Sequence, residues 1–290
     1  MKNILVVTGG AGFVGSNLVK FLLLKTNYKI ISLDNYSSGS INNHIKDKRV
    51  KYIKSETFHI STKLDKFKKK IKALFHFGEF ARIHQSFYNT EDCFASNISG
   101  TSNVFYFCLK NKIKIIYSAT SASLGNKGKD QSLSPYAFTK SKNLQLLSHL
   151  KKWFGLSYEA LYFYNVYGPG QILNGSMAAV IGIFETQFRK KKTLTVVKPG
   201  SQKRDFTHIS DIVRGCYLAM TKGTQNEYML CTNKTYSILQ IVKIFNTKYK
   251  FLKSRPGDRF GSTTLNNNAK TILGFQAKID VKEYIKTLIR

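Results

Sequence analysis

The first half of the chain alternates short apolar runs with longer stretches in which apolar positions recur every three or four residues. Residues 4–7, 30–33, 50–53, 73–77 and 113–117 are of strand length and dominated by Ile, Val, Leu, Phe and Tyr. Residues 13–24 and 97–109 are amphipathic at helical spacing. A further helix is predicted over 136–154 and a sixth strand over 158–164. Strands apolar on both faces, separated by helices, predict a doubly wound parallel sheet. After Asn165 the rhythm changes. Gly168, Pro169, Gly170 and Gly175 interrupt the pattern, shorter mixed elements follow, and residues 211–220 again read as helix. No low-complexity tract or internal repeat is present. The expected division is a sheet domain over 1–166, with a returning segment near 206–231, and a smaller mixed α/β lobe over 167–290.

Length and composition agree with this layout. At 290 residues, 42% apolar and 13% aromatic, the chain can bury one large core or two lobes sharing a cleft. No apolar run approaches the ~18 residues of a membrane span. Residues 1–7 run straight into a glycine-rich turn, unlike a secretory leader. Cys93, Cys108, Cys216 and Cys231 are scattered, as expected of reduced thiols in a cytoplasmic protein.

The net charge of +30 raises the question of nucleic acid. Of the basic residues, 38 are Lys and only 8 are Arg, and the lysines are spread over nearly every presumed surface segment. Site-specific recognition of phosphate or bases favours the bidentate arginine fork. The diffuse lysine excess reads as compositional drift, so no specific nucleic-acid partner is expected. The charge would still steer an anionic small molecule towards the surface.

The first predicted strand runs into Thr8-Gly9-Gly10-Ala11-Gly12-Phe13-Val14-Gly15, where a helix opens. Glycines at 9, 12 and 15 suit a tight turn, a close approach to a pyrophosphate, and close packing of helix on strand. The helix N-terminus then offers free N–H groups and a positive dipole end to phosphates. Asp34 ends the second strand, placed to accept hydrogen bonds from the adenosine ribose and to repel a 2′-phosphate. Asn35 and Tyr36 follow it, with no arginine to welcome that phosphate. The pattern predicts a Rossmann-type domain that takes NAD in preference to NADP.

Ser134-Pro135-Tyr136-Ala137-Phe138-Thr139-Lys140 carries Tyr-x-x-x-Lys on the helix predicted over 136–154. That spacing puts phenol and ammonium on one face, one turn apart. A lysine held near the tyrosine would stabilise phenolate and lower a pKa that starts near ~10. The phenolate can then take the proton of a substrate hydroxyl.

With these motifs in place, almost the whole chain resembles the extended short-chain dehydrogenase/reductase family of nucleotide-sugar epimerases and dehydratases. Asp34-Asn35-Tyr36-Ser37-Ser38-Gly39 is similar to the family's second-strand end. Phe75-His76-Phe77-Gly78 is similar to its fourth strand, and Asn97-Ile98-Ser99-Gly100-Thr101 to its fourth helix. The resemblance implies Tyr136, Lys140 and Thr120 as catalytic residues. It implies Gly9, Gly12, Phe13, Val14, Gly15, Asp34, Asn35, Phe77, Gly78 and Asn97 as cofactor-binding, together with Tyr136 and Lys140. For the nucleoside-diphosphate sugar it implies Ser121, Asn165, Arg204, Arg255 and Asp258, the two arginines clamping the diphosphate. It also implies a homodimer formed through residues 97–109 and 136–150. No metal ligands are assigned.

The dehydratases of this family follow the catalytic threonine with an Asp-Glu pair, and its decarboxylating members keep the glutamate. Here Ser121-Ala122 stands there, and neither residue can act as a carboxyl acid or base. What remains suits an NAD-dependent 4-epimerase, closest in motif to UDP-sugar 4-epimerases. Several positions depart from the family. Glu79 stands where a small neutral residue is usual, and is expected either to pair with Arg82 or to serve as an extra acid/base group. Tyr162 replaces a frequent arginine, and the segment between Gly125 and Tyr136 is short. The alternatives left open are a 4,6-dehydratase or other lyase or reductase of the family, and a catalytically idle NAD- or RNA-binding regulator.

Overall fold

The computed structural model describes residues 2–125, 132–262 and 264–289. The expectation about the segment between Gly125 and Tyr136 lies, for residues 126–131, outside them.

Among the described residues twelve strands are formed. They are β1 (Ile4–Thr8), β2 (Lys29–Asp34), β3 (Val50–Lys54), β4 (Ile71–His76), β5 (Lys114–Thr120), β6 (Tyr158–Phe163), β7 (Asn165–Tyr167), β8 (Leu194–Val197), β9 (Lys203–His208), β10 (Glu227–Leu230), β11 (Thr235–Ser237) and β12 (Tyr249–Leu252). Seven make one parallel sheet in the order β10-β6-β5-β4-β1-β2-β3. The continuous apolar runs of the sequence are explained by its two covered faces. Ile4 and Val6 of β1 join Ile31, Leu33, Leu74, Ile115 and Tyr117 in one core, while Leu5 and Val7 join Ile30, Ala73, Phe75 and Ile116 in the other. Each strand supplies both cores by simple alternation, so neither face tolerates a polar stripe.

Chain order reverses between β1 and β4, and the carboxyl ends of these neighbours flank a crevice. The helix Phe13–Lys25 covers one face, packed on the helix Ile209–Lys222 through Leu18, Leu22, Ile212 and Cys216. After Asn165 the chain builds the three-stranded sheet β11-β9-β7 and the parallel pair β12-β8 around a third core that includes Tyr167, Phe184, Phe206 and Phe245. Between β9 and β11 it returns to the large sheet to place β10 beside β6. All four cysteines are buried free thiols. No helix among the described residues is long and apolar enough to cross a membrane.

The seam between β6 and β10 holds a buried charge. The Glu159 side chain is fully buried. It accepts from the backbone N–H of Gln225 at 3.0 Å and of Asn226 at 3.1 Å, and pairs with Lys114 Nζ at 2.7 Å. It thereby satisfies the turn that delivers the returning strand. Glu159→Ala strands these donors and should lower the unfolding free energy by about 3 kcal/mol, read by urea denaturation with an unchanged slope.

Candidate active site

One cavity opens at the carboxyl ends of β1, β4 and β5 and runs on to the wall formed by the C-terminal elements. At its first end, Gly9 adopts φ +69°, and its N–H bonds the Leu33 carbonyl at 2.8 Å. A Cβ at Gly15 would stand 2.1 Å from the Gly9 carbonyl oxygen, so the turn closes only with glycine there. Gly12 caps the helix Phe13–Lys25 without a side-chain hydrogen bond and without an acidic residue in the first turn. Its leading N–H groups and dipole are thus available to an anion, and Gly12, Phe13, Val14 and Gly15 all line the cavity.

Asp34 is buried at the end of β2. Its Oδ2 accepts from Ala11 N–H and its Oδ1 from Tyr36 N–H, each at 2.8 Å. It therefore locks the glycine turn onto the second strand while facing the same cavity. Asn35 donates its amide to Glu56 at 3.0 and 3.1 Å, and Glu56 is a second carboxylate in the wall. Sequence reasoning missed Glu56, which follows β3 with no motif of its own. Two carboxylates at this end disfavour a 2′-phosphate.

The reactive end is built on β5 and the helix Pro135–Phe154. Ser134 caps that helix by accepting from Ala137 N–H at 3.1 Å, and Pro135 occupies its first turn, so Tyr136 is held at a well-formed helix start. Thr120 ends β5 and lines the cavity with Tyr136. Burial pushes Tyr136 up to about 12, against the lowering effect of the Thr120 hydroxyl; Glu79 adds to the rise and Arg82 opposes it.

Lys140 lines the same cavity and has a carboxylate partner of its own. Its ammonium is bound by Glu79 Oε2 and the Ser118 carbonyl oxygen, 4.5 Å above the Tyr117 ring. Glu79 Oε1 accepts from Thr101 and Tyr117 at 3.1 Å and from Asn143 at 3.2 Å. The pairing of Glu79 with Arg82 is thus overturned. Arg82 donates instead to the carbonyls of Met177 at 2.6 Å and Ala81 at 2.9 Å. Burial favours the Lys140 partner, because a carboxylate buried this deeply needs a cation held equally deep. Both side chains are nearly inaccessible, at 3% and 2%.

Phe77, Gly78, Ser121, Asn165, Arg204, Arg255 and Asp258 also line the cavity. Asn165 is anchored on the Asp205 carbonyl at 3.0 Å, and Arg204 pairs with Asp258 at 3.5 Å. Asn97 is the exception. It is fully buried behind the wall, at a wide helical turn over Ala95–Gly100. Its side chain accepts from Phe80 N–H at 2.7 Å and donates to the Phe80 carbonyl and to Thr139, each at 3.1 Å. It ties the loop after β4 to the Tyr136 helix and does not line the cavity, unlike the other residues expected to bind the cofactor. Tyr162, at the position of a frequent arginine, is buried in β6 and donates to Glu227 at 3.1 Å.

The sequence profile of the NAD dependent epimerase/dehydratase family matches residues 5–231. The chain belongs to this family. An uncharacterised protein of Methanocaldococcus jannaschii is 30% identical, over 98% of this chain and 94% of its own length. The UDP-glucose 4-epimerase of Thermotoga maritima, solved with UDP-glucose, is 26% identical. It superposes with a TM-score of 0.90 over 99% of this chain and 97% of that one. The dTDP-glucose 4,6-dehydratase of Streptomyces venezuelae, 20% identical, shares the fold with a TM-score of 0.89 over 98% and 95% of the two chains.

NAD is the cofactor of the family, and the residues present fit it: an uncapped helix N-terminus behind a glycine turn that admits no Cβ, and two carboxylates at the ribose end. Asp34→Ala should weaken NAD at least tenfold in a fluorescence titration, since a carboxylate of the cavity and the lock on the glycine turn are lost together. Glu79→Gln removes a charge that holds the Tyr136 proton on. The acid limb of the kcat profile should therefore move to lower pH, by about one unit. An unmoved limb would show that Tyr136 does not sense Glu79.

Proposed function

We propose that the chain is an NAD-dependent nucleoside-diphosphate-sugar 4-epimerase. The observation that carries this reading is the absence of a free carboxyl group beside Thr120 and Tyr136 among the described residues. Ser121-Ala122 follows Thr120, Glu79 is committed to Lys140, and Asp258 is paired with Arg204. Eliminating water would need a further acid and base at the sugar, and this wall offers neither. The similarity to a UDP-glucose 4-epimerase supports the same choice.

In this reading the sheet lobe over 1–166 holds the cofactor and the lobe over 167–290 the sugar nucleotide. Gly9, Gly12, Phe13, Val14 and Gly15 seat the pyrophosphate, Asp34 and Asn35 the adenosine ribose, and Phe77 and Gly78 the wall beyond it. Arg204 and Arg255 hold the diphosphate, with Asn165, Ser121 and Asp258 completing the substrate wall. Tyr136 takes the proton of the sugar 4-hydroxyl, Thr120 holds that oxygen and passes the proton, and Lys140 fixes the tyrosine's helix face. NAD, when bound, supplies a hydride acceptor that returns what it takes. The protein works as a cytoplasmic homodimer through residues 97–109 and 136–150, where Tyr106 stands exposed.

The test is a sugar nucleotide carrying deuterium at C4. The product should keep the label at C4 with the configuration inverted, and Tyr136→Phe should abolish turnover while still binding NAD. Label arriving at C6 of a 4-keto-6-deoxy product would replace the epimerase with a dehydratase.

A further inference from the structure

Arg259 directly follows Arg255-Pro256-Gly257-Asp258, is 5% exposed, and lines the cavity. Its Nη1 donates to the Ser121 carbonyl oxygen and its Nη2 to the Ser121 hydroxyl at 3.1 Å. Ser121 adjoins Thr120, which lines the same cavity as Tyr136 and influences its phenol. This third arginine of the C-terminal wall is therefore fixed at the reacting end of the cavity. Its neighbour in space, Arg204, is fastened to it by a bond to the Arg259 carbonyl at 2.6 Å and is paired with Asp258.

A guanidinium has five N–H donors, and the two bonds to Ser121 leave three. One of these is Nε–H, which is buried and has no partner. Nε and the adjacent terminal nitrogen form the side edge that a carboxylate engages with two parallel bonds. Among the described residues no carboxylate is ion-paired with Arg259, and none with Arg82 in the same cavity, whose bonds go only to main-chain carbonyls. Among the described residues, two guanidinium groups thus stand at the reacting end without an ion-paired carboxylate, Asp258 acting on Arg259 only from beyond bonding distance, and burying such a charge unpaired is costly. Burial, followed by the charge of Arg204, already holds Arg259 down to about 10.

Resting on the reading of the site as one for a nucleoside-diphosphate sugar, we propose that the sugar itself carries a carboxylate, bound by the side edge of Arg259 with Arg82 as the supporting cation. The substrate class is then a nucleoside-diphosphate sugar acid. Arg204 and Arg255 are left to the diphosphate, and the charge at the reacting end is closed by the substrate.

The experiment is isothermal titration of the NAD-loaded protein with two matched pairs: UDP-glucuronate against UDP-glucose, and GDP-mannuronate against GDP-mannose. In at least one pair the acid should bind ten times or more tighter than its neutral partner, and the glucuronate methyl ester should bind like UDP-glucose. Arg259→Met should collapse the acid-to-neutral ratio towards one, whereas a merely structural role would weaken both members alike. If that variant does not fold, the acid, ester and neutral comparison on the wild-type protein decides. Neutral sugars binding as well as acids, or a ratio that survives in Arg259→Met, would overturn the proposal. Epimerisation of neutral sugars alone, without acid preference, removes this inference and spares the reaction. Acid preference without epimerisation removes the reaction and spares this inference. No binding in any arm removes both.

Discussion

Glu79 and Lys140 bring opposite charges from elements 61 residues apart into a place that excludes water, and neither could remain there without the other. Around this pair the chain assembles hydrogen bonds that reach every element of the reactive end. Thr101 comes from the helix after the wide turn, Tyr117 and the Ser118 carbonyl from β5, and Asn143 from the Tyr136 helix. Behind Thr101 the network continues to His76, which the interior keeps neutral by pulling its pKa down to about 4, and on to Thr8 at the end of β1. Thr8 in turn accepts from the N–H groups of Phe77 and Gly78, at 3.1 Å each. The glycine turn and the tyrosine are thus two ends of one buried polar structure. Such a structure is rigid because any half-satisfied state is costly.

Charge is divided unequally along the cavity as a result. The end at the glycine turn carries the carboxylates Asp34 and Glu56, the centre is neutralised internally, and, among the described residues, the arginines without an ion-paired carboxylate stand on the C-terminal wall and at Arg82. Polarity of this kind orients an extended, anionic two-part ligand before any close contact forms. It also explains why eight arginines matter more here than 38 lysines. The guanidinium groups of Arg82, Arg204 and Arg259 are fixed by backbone carbonyls, whereas most lysines sit in solvent.

Much of this was legible in the sequence where a physical rule acts over short range. The strand runs were readable because β1, β2, β4 and β5 feed two cores at once and have no polar face to confuse the count. The glycine turn was readable because steric exclusion at Gly15 leaves one residue type. The partner of Glu79 was not, since sequence proximity favours Arg82 and only the packing of the helix on β5 shows that Lys140 lies deeper. The bonds that Asn97 makes to Phe80 and Thr139 were not legible either, because a motif marks a residue without saying which of its neighbours it holds. Arg259 carried one usable signal, its rarity in a lysine-rich chain, and that signal is silent about where the side chain points.

The unfinished start of the helix Phe13–Lys25 has a further meaning. A helix that neither caps its first turn with a side chain nor places an acid there leaves part of its own hydrogen bonding to whatever occupies the cavity. The dinucleotide is then a structural member as well as a reagent, and the folding equilibrium of the chain is linked to its free concentration. At a hundred times its dissociation constant such a ligand adds about 2.7 kcal/mol to the native state. The lifetime of this protein in a cell would accordingly follow the supply of its cofactor, and a depleted pool would remove the enzyme as well as idle it.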